Sequence, residues 1–593
     1  MKWIEKVKSS AEGLIKAVSR YPLTTIFLIA GAVANAMAIE SNSDASWTYQ
    51  KLFVTFVVGA LLAVVAQVVY ERFFKKSSYR LFLGALAVVL DLGYYFIIRQ
   101  APQFGIEISV RTTAIVAALL VAFVWIPAMK TKMKLTQSFL GTFKAFFISL
   151  FFSGVLFLGI TMILGAVDVL LVNIDEMLYA HASSLVFVLF APIYLLSLIP
   201  NYNTADETII RRTVDSTKFL EILISYIVIP LVSIFTVILV LYIALNIGGE
   251  FWTENLIEPM LVAYSIVVIV VLFLSANMDN KFAENFHKIF PKVLIPLVLF
   301  QILASTLKIG EEGLTHSRYY VIMYGAFALV AGAAFSFRKS PRVGIIAAVF
   351  IALSVVSIVP PVDAFTVSRQ NQIGMLEEVL EKNNMLSDNE IVANENVPDE
   401  DKQKITDITA YIWRMDYMDE VAWFEEDFDY YNEFEETFGF ARNEQTDRES
   451  EYAHFYREST SGIRVSGYDF LSTMRYMRLD KGEEEMQQID MDGTTYRWGF
   501  DPEGKTEDLT IEDENGKALM RYDFGQVIAF FEEKFEENRG ENLLSEEEGI
   551  FTEENEQVAI KIVIQRQEIF PGGNNGQELN HSSEFVLMVD IKE

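Results

Sequence analysis

Few side chains in this sequence could do chemistry inside a nonpolar environment, and Asp91 is the clearest of them. It is the one acidic residue near the middle of a long apolar segment. A carboxylate in hydrocarbon is costly, so Asp91 is expected to face other helices and find a partner there, or to be protonated. One interpretation is a site that couples proton or cation movement, and the other is a structural polar contact. The isolation of this acid favours the structural contact.

Arg318 is a second candidate, in the short polar joint 313–320 that precedes an apolar segment. Its planar guanidinium could bind an anionic headgroup or a carboxylate from the C-terminal part of the chain. Alternatively, it is a residue at a helix start whose long side chain extends to the membrane interface. Both interpretations stay open.

Other polar clusters lack the spacing that ligand sites require. Asp168, Asp175, Glu176 and His181 share one joint but do not show metal-ligand spacing, so a solvated loop is predicted. The acidic runs 425–436 and 490–493 do not fit the calcium-loop pattern, which leaves calcium binding open. Phosphate-loop, nucleophile-elbow and dinucleotide motifs are absent. The sequence predicts no catalytic residue, metal site or cofactor, which favours a non-enzymatic role.

Composition divides the chain of 593 residues near position 361. Residues 1–360 carry 27 Lys and Arg against 21 Asp and Glu, whereas the remainder carries 21 against 57. This split indicates two different solvents, and the acidic half argues against nucleic acid as a partner. There are no cysteines, which excludes disulfides and thiolate metal sites.

The first 360 residues contain apolar runs of membrane-spanning length. A span needs about 20 mainly apolar residues to cross about 30 Å of hydrocarbon. The predicted spans, about eleven, are 22–39, 51–70, 81–98, 110–128, 145–167, 183–200, 219–246, 257–276, 292–308, 319–337 and 343–360. The seventh contains Pro230, so a tilt or kink is expected there. The sequence thus predicts a polytopic α-helical bundle over 22–361, with the lipid bilayer as its first partner.

Basic residues predict the orientation of this bundle. With a cytoplasmic N-terminus, the predicted inside segments hold 22 Lys and Arg and the outside segments hold 5. The positive-inside rule then places the N-terminus in the cytoplasm and the C-terminal region outside it. Residues 1–21 are predicted to be a basic amphipathic segment on the cytoplasmic surface. A signal peptide cleaved after Ala36-Met37-Ala38 is the alternative, but Glu5 and Glu12 favour an uncleaved helix.

Beyond Pro361 the pattern is that of an acidic, extracytoplasmic α+β domain over 362–593. Helices are predicted at 367–383, 399–415 and 523–538 from the spacing of apolar residues. Strands are predicted at 463–468, 486–491, 494–500, 507–513, 517–522, 556–569 and 582–592. Asn515-Gly516 indicates a tight hairpin. A fold of this size could form without the bundle.

Three segments carry a resemblance to a known family. They are Phe219-Leu220-Glu221-Ile222-Leu223 with Tyr226-Ile227-Val228-Ile229-Pro230, then Gly313-Leu314-Thr315-His316-Ser317-Arg318, and Pro360-Pro361-Val362-Asp363-Ala364-Phe365. Together they resemble the bacterial multi-pass membrane family called domain of unknown function 4153. The resemblance implies a bacterial plasma-membrane protein and supplies no activity. It adds Glu221 to Asp91 and Arg318 as candidate functional residues.

Three functions remain open from the sequence. The favoured one is an anchor, sensor or accessory protein whose exported domain binds another membrane or envelope protein, an envelope component or a ligand. The second is a transporter or lipid-translocating protein, for which prolines inside helices would be natural. The third is a membrane enzyme acting on lipid-linked substrates.

Reporter fusions test the orientation. Fusions after Lys76, Lys134 and Arg212 should report the cytoplasm, because their segments carry the basic residues. Fusions after Asn42, Glu176 and Ile373 should report export. A cytoplasmic signal at Ile373 would contradict both the number of spans and the extracytoplasmic position of the C-terminal region.

Overall fold

The computed structural model comprises two compact units, Met1–Arg442 and Asn443–Glu593. It describes residues 12–41, 44–99, 105–131, 133–172, 174–175, 177–246, 257–336, 343–387, 390–424, 428–430, 433–442, 453–457, 465–477, 486–491, 493–500, 508–537, 540–545, 548–572 and 578–592. Each unit has a hydrophobic core of its own.

The described part of the first unit contains ten helices that are long and apolar enough to cross a membrane. They are α1 (Pro22–Glu40), α2 (Asp44–Phe73), α3 (Ser77–Ile98), α4 (Ile106–Trp125), α5 (Leu135–Leu170), α6 (Met177–Leu198), α8 (Lys218–Leu245), α9 (Ile257–Ser275), α10 (Lys281–Glu312) and α11 (His316–Ser336). The short helix α7 (Glu207–Val214) links α6 to α8. The predicted spans therefore correspond to helices, with ends that differ by a few residues.

The eleventh predicted span, 343–360, is a shorter helix. α12 covers Val343–Val356 and has 14 residues. At 1.5 Å per residue it is roughly 21 Å long, less than the thickness of the hydrocarbon core. The described chain therefore has ten full-length spans and one short apolar helix, where the sequence predicted about eleven spans.

The long helices expose apolar side chains that a water-soluble fold would bury. Leu81 on α3 is 80% exposed, and Met162 on α5 is 75% exposed. Such surfaces are stable when lipid surrounds them, because lipid tails are as apolar as leucine. The prediction of a multi-pass membrane bundle is confirmed.

Two spans contain wider turns beside proline. The π-helical turns Leu185–Phe190 in α6 and Leu223–Val228 in α8 end one residue before the pairs Ala191-Pro192 and Ile229-Pro230. Proline lacks an N–H and its ring crowds the preceding turn, so a wider turn accommodates it. The irregularity predicted at Pro230 therefore takes the form of a π-helical turn.

Residues 364–442, here called the helical cap, belong to the same compact unit as the spans. The cap contains α13 (Ala364–Lys382), β1 (Leu386–Ser387), β2 (Glu390–Ile391), α14 (Asp399–Arg414) and α15 (Phe434–Phe438). Leu376 and Leu380 of α13 pack with Ile405 and Ile412 of α14 and with Phe434 in one buried cluster. The apolar residues whose spacing predicted α13 and α14 are thus the residues on the buried faces of these two helices.

The described residues of the second unit form two sheets and one helix. Its strands are β3 (Ala453–Tyr456), β4 (Phe470–Met477), β5 (Gln487–Met491), β6 (Thr494–Phe500), β7 (Asp508–Glu512), β8 (Ala518–Asp523), β9 (Gly540–Leu543), β10 (Ile550–Glu554), β11 (Val558–Gly572) and β12 (Glu578–Ile591). The larger sheet has the order β4-β12-β11-β3-β9, with β10 also paired to β11, and β5-β6-β7-β8 form an antiparallel meander. Both sheets and α16 (Gly525–Glu537) share one core.

Most of the predicted C-terminal elements are present, which confirms an α+β region. Gly516 has φ 74° and ends the turn between β7 and β8, as the Asn-Gly pair predicts. The strand predicted at 463–468 is wrong where it is described, because residues 465–469 form a turn and the strand begins at Phe470. Its apolar residues were too few for the pattern to fix the register. Residues 463–464 lie outside the described part.

The boundary between units lies at 442/443, whereas the sequence placed it at 361/362. The physical reason is the apolar surface of the cap. Val110 of α4 and Tyr319 and Tyr320 of α11 pack against the core cluster of the cap. The change in composition shows only where the chain becomes acidic. The cap belongs with the spans because its apolar surface is buried against them.

Two fragments test this boundary. Fragment 443–593 should be soluble and unfold in one cooperative thermal transition, because it holds a complete core. In fragment 362–593 a protease should digest the cap rapidly, since the spans that cover its apolar face are missing, whereas the cap of the full-length protein should resist. Equal resistance in both would support the boundary at 361/362.

Candidate functional site

The second turn of α4 holds a buried arginine with every side of its guanidinium engaged. Arg111 is 3% exposed. Its Nε donates to Glu107 Oε1 at 2.8 Å, its Nη2 to Asp363 Oδ1 at 2.6 Å and its Nη1 to the Ile358 carbonyl at 2.5 Å. Its guanidinium carbon lies 5.0 Å from the centroid of the Phe365 ring. Arg111 thus links α4 to the segment that follows α12.

Asp363 is the other half of this ion pair and also begins the cap. Its carboxylate is fully buried, and Oδ1 accepts hydrogen bonds from the backbone N–H groups of Phe365 and Thr366 at 3.1 Å. It is therefore the N-cap of α13, where a negative charge is also favoured by the helix dipole. One side chain both starts the cap and neutralises Arg111.

A glycine turn at the end of α10 makes the second contact. Gly313 has φ 77°, and a Cβ there would lie 2.5 Å from the Gln372 amide nitrogen, so a larger residue would be both strained and crowded. Gln372 donates to the Glu312 carbonyl at 3.1 Å, and Asn371 accepts from the Leu314 N–H at 2.6 Å. Two amide side chains of α13 thus bind backbone groups at the end of α10 and in the glycine turn that follows it.

His316 makes the third contact. Its Nδ1 lies 3.0 Å from the Tyr411 hydroxyl, which donates to Ser368 Oγ at 3.2 Å. The imidazole also stacks on the Phe365 ring, with centroids 5.3 Å apart. Burial raises the pKa of the Tyr411 hydroxyl, so it stays a neutral donor.

Tyr417 adds a fourth contact at the edge of the cap. Its hydroxyl donates to Glu107 Oε2 at 3.3 Å, and burial followed by the negative charge of Glu107 raises its pKa. Arg369 lies over the Tyr417 ring and forms an ion pair with Glu420. These four contacts are called the junction network, formed by Glu107, Arg111, His316, Asp363, Ser368, Asn371, Gln372, Tyr411 and Tyr417.

Arg318, predicted as a candidate anion clamp, lies beside this network. It is 8% exposed, donates from Nη1 to the Gly313 carbonyl at 2.9 Å and forms an ion pair with Glu312. Its described partners therefore belong to its own joint. These two contacts of Arg318 hold the turn at Gly313 in place.

Asp91 lies elsewhere, among α1, α2 and α3. It is 4% exposed, and its Oδ1 has no hydrogen-bond partner within the described residues. A Cβ at Gly59 would lie 2.7 Å from Asp91 Oδ2 and equally close to the Phe27 ring. The absence of a side chain at Gly59 therefore makes room for the carboxyl group.

Glu221 lies near the start of α8. It accepts from Asn280 Nδ2 at 3.2 Å, and the same nitrogen lies 2.9 Å from Ser225 Oγ. The other end of Asn280 accepts from the Ala283 N–H at 3.0 Å and caps α10. Glu221 thus ties α8 to α10, and the structure does not bring Asp91, Arg318 and Glu221 into one site.

The joint after α5 shows no metal-like arrangement among its described residues. Asp168 and Asp175 accept hydrogen bonds from the backbone N–H groups of Ile174 and Met177, and His181 pairs with Glu40. Glu176 lies outside the described residues. In the part of the chain that the structure describes, no group of three His, Cys, Asp or Glu side chains could hold a metal ion.

Several buried polar residues of the site were not predicted from the sequence. Arg111 is one of them, although Glu107 and Arg111 have the i, i+4 spacing of a helical ion pair. Asp363 directly precedes a helix, which is an N-cap signal. Gln301 and Ser305, both buried on α10, have side-chain oxygens without a hydrogen-bond partner among the described residues. Their i, i+4 spacing, which can be read from the sequence, places both side chains on one face of α10.

Residues 26–396 match the family model described as Domain of unknown function (DUF4153). The chain belongs to this family. The resemblance found in the sequence is thereby confirmed. The matched part of this DUF4153 protein includes Asp91, Glu221, Arg318 and Asp363, and ends within the cap. No curated protein and no solved structure shows significant similarity to the chain.

The ion pair Arg111–Asp363 predicts a strong effect of single substitutions in the DUF4153 protein. Asp363→Ala should lower the free energy of unfolding by about 3 kcal/mol, because Arg111 loses its fully buried partner and keeps only the partly exposed Glu107. Asp363→Ser keeps a capping side chain and should recover about 1 kcal/mol of that loss. Thermal unfolding of the detergent-solubilised protein measures both.

The exposed pair Lys404–Glu400 on α14 provides the matched control. Glu400→Ala should leave the melting temperature unchanged, since exposed i, i+4 pairs contribute little. The double variant Arg111→Leu with Asp363→Ser should melt above Asp363→Ala, because the buried guanidinium is gone and Glu107 is partly exposed and keeps its hydrogen bond from Tyr417. A wild-type melting temperature for Asp363→Ala would contradict a structural role of the pair.

Proposed function

We propose that this DUF4153 protein is a non-enzymatic sensor or accessory protein of the bacterial plasma membrane. Its C-terminal β unit binds a partner, envelope component or ligand outside the cytoplasm, and the cap couples that unit to the bundle. The observation that carries this proposal is the junction network, in which the buried Arg111–Asp363 pair joins the cap to α4. A flexible tether would not need such a network.

The charge distribution supports the orientation in this proposal. The predicted inside segments hold 22 Lys and Arg against 5 outside, and the region after residue 361 carries 57 acidic against 21 basic residues. Lys and Arg mark the cytoplasmic side of membrane proteins. This orientation requires α12 to cross as the eleventh span, and α12 runs the length of α4, with Gly344 beside Trp125 and the Ile358 carbonyl bound by Arg111. The cap and the β unit would then both lie outside the cytoplasm.

The network also supports a coupling role for the cap. α4 contributes Arg111, and α11 contributes His316 at its first residue. A displacement of the cap therefore acts on two spans at once. Because packed helices shift as rigid elements, such a displacement could reach their other ends.

A transporter remains the second candidate, favoured by one observation. Asp91 is buried and forms no ion pair among the described residues, whereas Asp363 is paired with Arg111. Ionisable side chains inside membrane domains often mark ion or proton pathways. In the sensor hypothesis, Asp91 is a packed polar group whose charge has no role.

One set of variants separates the two candidates in a deletion strain of the native host. The sensor hypothesis expects the truncation 1–442 to be abundant but inactive, and to lose proteins that crosslink to the full-length chain in native membranes. It expects Asp91→Asn to be as active as wild type, because the amide preserves shape. Asp206→Asn, at an exposed loop position, is the matched control.

The outcomes are distinct. An active 1–442 truncation would show that the β unit is dispensable and would contradict the sensor proposal. An abundant but inactive Asp91→Asn, beside an active Asp206→Asn, would favour the transporter. Membrane abundance by immunoblot and growth of the complemented strain measure both.

A further inference from the structure

A cleft lies where the ends of α3 and α4 face the cap. Its volume is about 920 Å³. One side is formed by the last residues of α3 and the first turns of α4, and the other by the start of α13 and residues 413–420 of the cap. Small-molecule sites in proteins usually occupy about 300–1,000 Å³, so the cleft can hold one ligand of substantial size.

The side of the cleft formed by the spans has an apolar part that faces the lipid-exposed surface, beside Glu107 and Arg111, which are engaged in the junction network. Phe96, Ile97 and Ile106 line the apolar part. Phe96 is 57% exposed, and Leu92, one turn earlier on α3, is 52% exposed. Because these residues lie on the outer face of a span, an acyl chain could extend from the cleft along α3 into the bilayer.

The side formed by the cap carries charges of both signs. Arg369 and Glu420 form an ion pair and neutralise each other in the cleft wall. Asp416, Asp419 and Arg414 line the cleft as well. This set offers two carboxylates and one guanidinium to a ligand.

Asp416 and Asp419 together favour a bound cation. Asp416 lies in the left-handed region with φ 60°, which is uncommon for a residue other than glycine. Burial, and next the negative charge of Asp419, raise the pKa of the Asp416 carboxyl. A cationic group between the two would offset this repulsion.

The charge of the cap argues against an anionic ligand. Residues 362–442 carry 6 Lys and Arg against 21 Asp and Glu. An anionic lipid would be repelled by this surface, whereas a lipid with both an ammonium and a phosphate would find a partner for each. The apolar wall in turn requires a ligand with a hydrocarbon part.

We propose that this cleft binds one zwitterionic phospholipid with a primary amine in its headgroup, such as phosphatidylethanolamine. The ammonium lies between Asp416 and Asp419, the phosphate faces Arg414, and an acyl chain lies along Phe96 and Ile106. The lipid would fill the space between the cap and the ends of α3 and α4. This binding does not depend on the sensor proposal, since either function can use a bound lipid.

The test uses the purified full-length protein in nanodiscs of equimolar phosphatidylethanolamine, phosphatidylcholine and phosphatidylglycerol. After mild extraction, native mass spectrometry identifies the lipid that stays bound. Phosphatidylethanolamine should be retained about tenfold over phosphatidylcholine, because only its ammonium donates hydrogen bonds to carboxylates. Stronger retention of phosphatidylglycerol, or equal retention of all three, would overturn the proposal.

A charge-matched pair of variants locates the site. The double variant Asp416→Asn with Asp419→Asn should reduce the preference for phosphatidylethanolamine about tenfold, to near the ratio of the lipids in the nanodisc. It removes both negative charges that contact the ammonium group. Glu377→Gln with Glu378→Gln, two exposed acids of α13 outside the cleft, should leave the preference unchanged. An equal loss in both variants would contradict a specific site.

A series of lipids keeps the test decisive if the Asp416 and Asp419 variant does not fold. Wild-type protein is offered ethanolamine lipids with zero, one, two or three N-methyl groups. Each methyl group removes a hydrogen-bond donor and keeps the charge, so retention should fall along the series. Unchanged retention would show binding through the chains alone and would overturn the proposed headgroup contact. Ethanolamine without acyl chains should not compete, and competition would indicate a site for soluble amines.

Discussion

The ion pair between Arg111 and Asp363 is the interaction on which the arrangement of the first unit depends. An arginine buried at the end of a span cannot lose its proton, so the chain must supply a partner wherever α4 begins. Glu107 supplies one partner from α4 itself, and Asp363 supplies the fully buried one and at the same time caps α13. The orientation of the cap therefore follows from a charge that could not be left alone in a low-dielectric environment.

The opposite end of the bundle follows the same principle with different residues. Arg20, directly before α1, forms a two-pronged ion pair with Glu71 of α2, at 2.9 and 2.7 Å. It also donates to the Ile199 carbonyl after α6 at 2.8 Å, while Arg80 donates to the Arg20 carbonyl. Basic residues that the positive-inside rule counts as surface charges thus also hold helix ends together. Between these charged ends, the apolar parts of the spans are held together by the packing of their side chains.

Asp91 differs from these carboxylates in forming no ion pair among the described residues, although Asp363 Oδ2, like Asp91 Oδ1, has no hydrogen-bond partner there. The carboxylates of Glu71 and Asp363 are matched by arginines, whereas Asp91 has no such partner within the described residues. The space for its carboxyl comes from Gly59, so the position is sterically prepared but electrostatically unpaired. A buried polar atom without a hydrogen-bond partner is usually explained either by packing or by a functional role. This difference is why Asp91 distinguishes the two candidate functions.

The sequence by itself determined the number and limits of most spans, because hydrocarbon demands about 20 apolar residues and tolerates few exceptions. It also determined β5 to β8 and the Asn515-Gly516 turn, where local alternation and turn chemistry suffice. Only the tertiary structure decided that 364–442 belongs with the spans and that Arg111 meets Asp363, 252 positions later. Hydropathy is local, whereas a pairing across such a distance depends on how the helices pack. The residue pattern of a single helix does not show which other helix it packs against.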